Sequence, residues 1–208
     1  MPSERRIGAE DSATRDALLD AALQLLLEEG YASVTSRKVA GRAGLKPQLV
    51  HYYFRTMDEL FLALVRRGSA LNFERQARAL ESATPLRALW AVATEPAGTT
   101  FTTELFALAN HRKAIRAELA AHAEEFRRLQ REALVTVLAT YGVDLGEVPP
   151  AALPVLVTGM SQILVLEEAM GMTTGHAELR ELVETWISKY EPATPARGRA
   201  SRAARPTA

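Results

Sequence analysis

The spacing of apolar residues constrains this chain more than any other feature. From Leu18 onward they recur every third or fourth position, and the alternating, β-branched runs that mark strands are nearly absent. Ala, Leu, Glu and Arg, all good helix formers, fill the same segments. Such a chain is expected to be all-α. In the first helix Leu18, Ala21, Ala22, Leu25 and Leu26 face inward, while Asp16, Asp20, Gln24 and Glu28 mark the wet side. Thr14 is expected to cap it and Gly30 to end it. Thr35 or Ser36 starts a short helix through Ala43, Gly44 turns the chain, and Pro47 opens the next helix. A longer helix starts near Thr56, with Asp58 and Glu59 in its first turn, and runs to about Leu80. Beyond Ser82 further helices follow, one of them from Thr99 to Gly142, with breaks at Pro96-Ala97-Gly98, Tyr141-Gly142, Gly171 and Gly175.

Composition limits what these helices can do. Apolar residues make up 48% and charged residues 24% of 208, an ordinary globular balance. With 25 basic and 25 acidic side chains the net charge is zero, so any nucleic-acid binding must come from a local patch. Cysteine is absent, which excludes disulfides and thiolate metal sites and fits a reducing, cytoplasmic setting. The segment from Val148 to Leu166 carries no charge, a length close to a bilayer span. Pro149, Pro150, Pro154, Thr158, Ser161 and Gln162 interrupt it, so it reads as a buried or intersubunit helix rather than a membrane segment.

One stretch concentrates a patch of the required kind: "RKVAGRAGLKPQLVHYYFRTMDEL", Arg37 to Leu60. Folded as two helices with a tight turn, it buries Val39, Ala43, Leu45, Val50 and Tyr53, with Ala40 small where the helices approach. Arg37, Lys46, Gln48, Leu49, His51 and Tyr52 then face away from the core. From Arg37 through Met57 the basic residues are Arg37, Lys38, Arg42, Lys46 and Arg55, without one carboxylate. Unopposed positive charge beside short polar and aromatic groups suits a major groove, where the cations neutralise phosphates and Gln48 reaches base edges. Thr35 and Ser36, at a helix start, can offer backbone N–H groups to a phosphate. Tyr53 and Phe54 are expected in the core, and Lys38 and Arg42 on a solvated face.

The segment Thr14–Leu60 resembles the DNA-binding domain of the tetracycline-repressor (TetR) family. The likeness rests on "TRDALLDAALQLLLEEGY", "RKVAGRAGL" and "YYF" followed by "MDEL", about a quarter of the chain. Gly30-Tyr31, Val39-Ala40, Ala43-Gly44-Leu45 and Tyr53-Phe54 occupy the family's characteristic positions. It departs at His51, where the family usually has tyrosine, and at Met57, where it usually has a phosphate-contacting lysine. The resemblance implies a three-helix helix-turn-helix domain joined to a larger helical regulatory and dimerisation domain. The expected division is an arm at 1–13, the DNA-binding domain at 14–60, the regulatory domain at 61–190 and an Arg-rich tail at 191–208.

The implied protein is a homodimeric repressor, binding an inverted-repeat operator in double-stranded DNA. Its DNA-binding residues are Thr35, Ser36, Arg37, Lys46, Pro47, Gln48, Leu49, His51, Tyr52 and Arg55. A largely apolar small-molecule effector would release it, with Trp90, Phe101, Leu105, Phe106, Phe126, Met160 and Leu164 as pocket candidates. The uncharged segment and a last helix with Val183, Trp186 and Ile187 would form the dimer interface. No cofactor, metal or catalytic residue is expected. Rival readings are a helical protein-interaction module and a helical-bundle metalloenzyme. For the latter, His111, Glu118, His122 and Glu125 would share one helix face. Its two histidines lie too far apart for one metal, about 16 Å at about 1.5 Å per residue.

Overall fold

The computed structural model describes residues 13–146 and 148–191. The described residues form helices and turns without a strand, as the apolar spacing requires. The order is α1 (Ala13–Glu29), a 3₁₀ turn (Tyr31–Ser33), α2 (Ser36–Arg42), α3 (Pro47–Tyr53) and α4 (Met57–Leu80). Then follow α5 (Pro85–Ala93), α6 (Pro96–Ala109), α7 (Lys113–Thr140), α8 (Ala152–Ala169) and α9 (His176–Ile187). The starts carry visible causes. The Thr35 hydroxyl accepts from Lys38 N at 3.3 Å, Thr56 accepts from Glu59 N at 3.1 Å, and Pro47, Pro85 and Pro96 stand in the first turns of α3, α5 and α6. Gly30 leaves α1 at φ 81° and Gly44 makes the α2–α3 turn at φ 69°, a region that side chains with a Cβ avoid.

Two apolar cores hold the helices. The first joins Leu18, Leu26, Val39, Val50, Phe54, Leu60 and Leu64 of the N-terminal helices to Leu105, Leu108, Ala109 and Ile115 at the α6–α7 corner. Side chains of this size contribute about 1.5–3 kcal/mol each when fully buried. The second core lies at the other end, from Ala79, Leu86 and Leu89 to Leu134, Leu138 and Ile187. Helix α4 runs between the two. The α6–α7 corner is therefore part of the core of the N-terminal domain, although it lies far away in sequence.

Polar ties reinforce that corner. Tyr31 N donates to Glu104 Oε2 at 2.7 Å, Arg112 pairs with Asp58, and Arg66 with Glu118 at 2.7 Å, while Arg67 ties α4 to Asp20 of α1 at 2.7 Å. Gly68 has a packing reason: a Cβ there would lie 2.4 Å from two ring carbons of Phe101, so α4 and that ring meet only because the side chain is missing.

Four expectations need correction. The break expected at Pro96-Ala97-Gly98 is instead the first turn of α6, which starts at Pro96. Thr14 lies inside α1, which starts at Ala13. The helix expected from Thr99 to Gly142 is two helices, α6 and α7, turning at Asn110, His111 and Arg112. No glycine or proline marks that turn; it is set by tertiary packing, since Leu108 and Ile115 on either side enter the first core. Glu191 does not belong to a tail. It is 1% exposed and accepts from Leu86 N at 2.7 Å, Arg87 N at 3.0 Å and the Tyr141 hydroxyl at 2.9 Å. The remainder of the expected arm and tail, 1–12 and 192–208, falls outside the described residues.

Candidate nucleic-acid interface

The geometry of α2 and α3 follows from what they bury. Val39, Ala40 and Val50 are fully buried and Phe54 nearly so, with Ala43, Leu45 and Tyr53 packed at their edge. Leu45 N donates to Ala40 O at 2.8 Å, which closes the turn and fixes α3 against α2. With that face inside, Pro47, Gln48, His51 and Tyr52 are exposed and Leu49 half-buried. Gln48 is three residues before His51 and four before Tyr52, so the three share one outward face. Tyr52 is 44% exposed and rests edge-on against Tyr53, ring centroids 5.0 Å apart, a contact that orients it. Arg15 lies over the Phe54 ring at 5.1 Å and closes the lower side.

The cations around this face fall into two groups. Lys38 reaches Glu29 at 2.7 Å, and Arg42 reaches Glu28 at 2.7 Å and Glu29 at 3.3 Å. The hydrogen bond from Lys38 holds the Glu29 carboxyl below its ordinary range, and the bond that Arg42 donates to Glu28 raises the guanidinium further. These two cations are committed to α1. Arg37, Lys46 and Arg55 are exposed and have no ion-pair partner among the described residues. Nearby carboxylates are occupied as well: Glu59 accepts from Arg55 N at 2.8 Å, and Asp58 holds Arg112. Thr35 is exposed and Ser36 half-buried at the start of α2, beside a cleft of about 450 Å³ that runs to Met57, His111 and Arg112. Met57 is half-buried and packs on the first core, so it offers the face no charge.

Residues 18–64 match the model for "Bacterial regulatory proteins, tetR family". The match falls on α1 through the first part of α4, the helices that build and carry this face. Over 61 residues the chain is 38% identical to the HTH-type transcriptional regulator BetI of Rhizobium meliloti (strain 1021), covering 29% of this chain and 30% of that protein. BetI of Brucella abortus (strain 2308) is 39% identical over a stretch of the same length, again covering 30% of its length. Solved structures resemble the whole fold. A TetR-family transcriptional regulator from Rhodococcus sp. superposes with TM-score 0.67 at 20% identity, over 86% of this chain and 98% of that one. The fatty acid degradation regulator FadR from Bacillus halodurans does so with TM-score 0.65 at 18% identity, over 91% and 100%. An N-terminal helix-turn-helix domain followed by a larger helical domain is thus the architecture of this chain.

The pocket candidates disperse. Phe101 and the fully buried Leu105 belong to the first core, and Trp90 packs against the second. Phe106 is 48% exposed and lines an open groove of about 350 Å³ between α6 and α7. Phe126, Met160 and Leu164 belong to neither core: Phe126 meets Phe73 of α4 at 5.9 Å, Leu164 is fully buried, and Met160 is half-buried. Of the metal-site candidates only Glu118 and His122 come together, one turn apart on α7 at 3.4 Å. His111 is exposed in the α6–α7 turn, off the helix that carries the others. Glu118 bonds Arg66, which pulls its carboxyl below the ordinary range, and Glu125 is held low in the same way by Arg128. No group of three metal-ligating side chains occurs among the described residues.

Two residues were not singled out by sequence. Glu104 caps the 3₁₀ turn from another domain, and nothing local signals that. Gln130 is buried, and a signal did exist: it sits in register with Phe126, Leu134 and Leu138 on the inward stripe of α7.

Proposed function

We propose that this protein is a cytoplasmic transcriptional regulator that binds an inverted-repeat operator as a homodimer and leaves it when a small molecule binds. The observation that carries the reading is the outward face of α3. Gln48, His51 and Tyr52 stand together on it, flanked by Arg37, Lys46 and Arg55 without ion-pair partners among the described residues. The cations neutralise phosphates while the amide and aromatic groups meet base edges. One such helix per chain calls for two chains on two half-sites.

The dimer would form through α8 and α9. Val155, Leu156 and Ile163 of α8 and Leu182 and Trp186 of α9 are exposed large apolar residues, with Leu182 at 65%. Ile187 turns inward to the second core, so Trp186 and Leu182 supply the outer face of α9. Helix α8 has the length and composition of a membrane span, yet it packs on α5, α6 and α7, and a second copy would cover its remaining apolar side.

Release would work through α4 and the α6–α7 corner. Helix α4 begins beside α3, and Glu104, Arg112 and Phe101 tie the N-terminal helices to α6 and the turn beyond it. An effector that shifts α6 or the far half of α4 changes the separation of the two α3 helices and depopulates the DNA-competent state. The test is selection of duplexes from a random pool, followed by anisotropy titration at several salt concentrations. An enriched inverted repeat bound with a steep salt slope supports the reading. Absence of enrichment and of any DNA binding would leave a helical interaction module instead.

A further inference from the structure

Five inward-facing residues belong to neither core: Phe73 of α4, Phe126 and Gln130 of α7, and Ser161 and Leu164 of α8. Phe73 and Phe126 meet at 5.9 Å, α7 packs on both α4 and α8, and we take the five as one intervening layer. Helix α7 passes through both cores and this layer. Its Ile115 and Leu119 enter the first core, its Leu134 and Leu138 the second. Phe126, Gln130, Leu134 and Leu138 follow one another at intervals of four, each about 40° round the helix from the last. Every other position of that series is apolar. Gln130 interrupts it at the point where the cores are separated.

Its side-chain carbonyl is not spent on structure. Gln130 is 6% exposed, and its side-chain carbonyl Oε1 is buried without a hydrogen-bond partner. Ser161, buried on α8, differs: its hydroxyl donates to the carbonyl of Thr158 at 3.2 Å. A leucine at position 130 would fill the same stripe and leave no carbonyl unmet. A lone acceptor in an apolar layer is a recognition device: it favours a molecule that brings a donor and discriminates against a similar one that does not.

We infer that the effector enters this layer and donates an N–H or O–H hydrogen bond to Gln130 Oε1. It is therefore a compact, uncharged molecule with an apolar or aromatic body and one donor, packed against Phe73, Phe126 and Leu164. Charged effectors are disfavoured, because no ionised side chain is buried beside the layer to receive them: among the described residues the buried polar groups are Thr99, Gln130, Ser161, His176 and Glu191, and Glu191 and His176 are engaged in contacts near the chain's end. This inference rests on the reading of the chain as an effector-responsive regulator.

Calorimetric titration of wild type and Q130L with two matched pairs tests it: indole against indene, and 1-octanol against octyl methyl ether. Each pair differs in its donor. The expected result is that at least one donor-bearing compound binds wild type about tenfold tighter than its partner. That ratio falls to near one in Q130L. Should Q130L fail to fold, Q130M carries the same comparison with a longer, unbranched side chain. Equal binding within both pairs, a ratio that persists in the variant, or no binding of either donor compound overturns the inference. DNA titration without any compound is run in parallel: wild type that binds no duplex defeats the regulator reading, while the calorimetric ratio still decides the site.

Discussion

Truncating Glu191 should cost more than the loss of any other residue near the end of the described chain. Helix α5 starts with Thr84 as its capping residue, but Thr84 makes no side-chain capping bond, and Pro85 has no N–H. The N–H groups of Leu86 and Arg87 therefore need an acceptor, as the first turn of any helix does. Glu191 supplies one oxygen to each, and one of those oxygens also takes the Tyr141 hydroxyl. In E191A all three donors lose their partner. Leu86 is buried, so water replaces the bond poorly there. A capping bond is worth about 1 kcal/mol and a bond to a charged acceptor about 1.5–3 kcal/mol, partly offset because a carboxylate no longer has to be desolvated. The net loss comes to about 2–4 kcal/mol, a large share of the roughly 5–15 kcal/mol typical of a folded domain. E191Q, keeping one acceptor oxygen, should lose about half as much. Urea unfolding measures this directly, with the slope unchanged. Since Tyr141 shares the carboxylate, Y141F should cost less in E191A than in wild type. An E191A midpoint equal to that of wild type would show that the three bonds stabilise nothing, and the cap would have to be abandoned.

Gly68→Ala should gain about 1 kcal/mol of helix propensity and lose about 1–3 kcal/mol to overlap with Phe101, so urea unfolding should find it neutral or weaker; in an F101L background it should stabilise. Lys46→Ala should weaken binding to all duplexes alike and flatten the salt slope by up to about 0.9, whereas Gln48→Ala should reduce discrimination at one or two base pairs by about 1–3 kcal/mol. Ile163→Glu with Leu182→Glu should give a folded monomer in sedimentation, since both side chains are exposed on the proposed dimer face. Burial first, and the Glu191 carboxylate second, raise the Tyr141 hydroxyl above its ordinary 10.0. A raised folded-state value stabilises below the unfolded one and is lost as pH rises through the folded one, so wild type should lose stability above about pH 10 relative to Y141F in alkaline unfolding titrations.

What sequence could and could not show follows from the range of each interaction. Helix positions, caps and the α2–α3 turn are set within a few residues, and Thr35, Gly44, Pro47 and Thr56 act where they stand. The outward set Arg37, Lys46, Gln48, His51 and Tyr52 followed from the same local periodicity once Val39 and Val50 were placed inside. The cause of the sorting of cations did not: Lys38 and Arg42 were expected on a solvated face, and they are held there because Glu28 and Glu29 of α1 come within reach in space. Long-range partners were invisible for the same reason. Glu191 read as the first residue of a polar tail, since its donors lie 105 and 104 positions away. Asn110 to Arg112 lacked any breaker because the packing of Leu108 and Ile115 makes that turn. The pocket candidates were chosen for size and apolarity, and three of the seven, Trp90, Phe101 and Leu105, belong to the two cores, which those properties equally describe. Gln130 was passed over because it is polar, although a polar residue on an apolar stripe is the rarer signal. Apolar side chains say where a helix faces, and the polar one among them says where that face meets something other than the protein's own core.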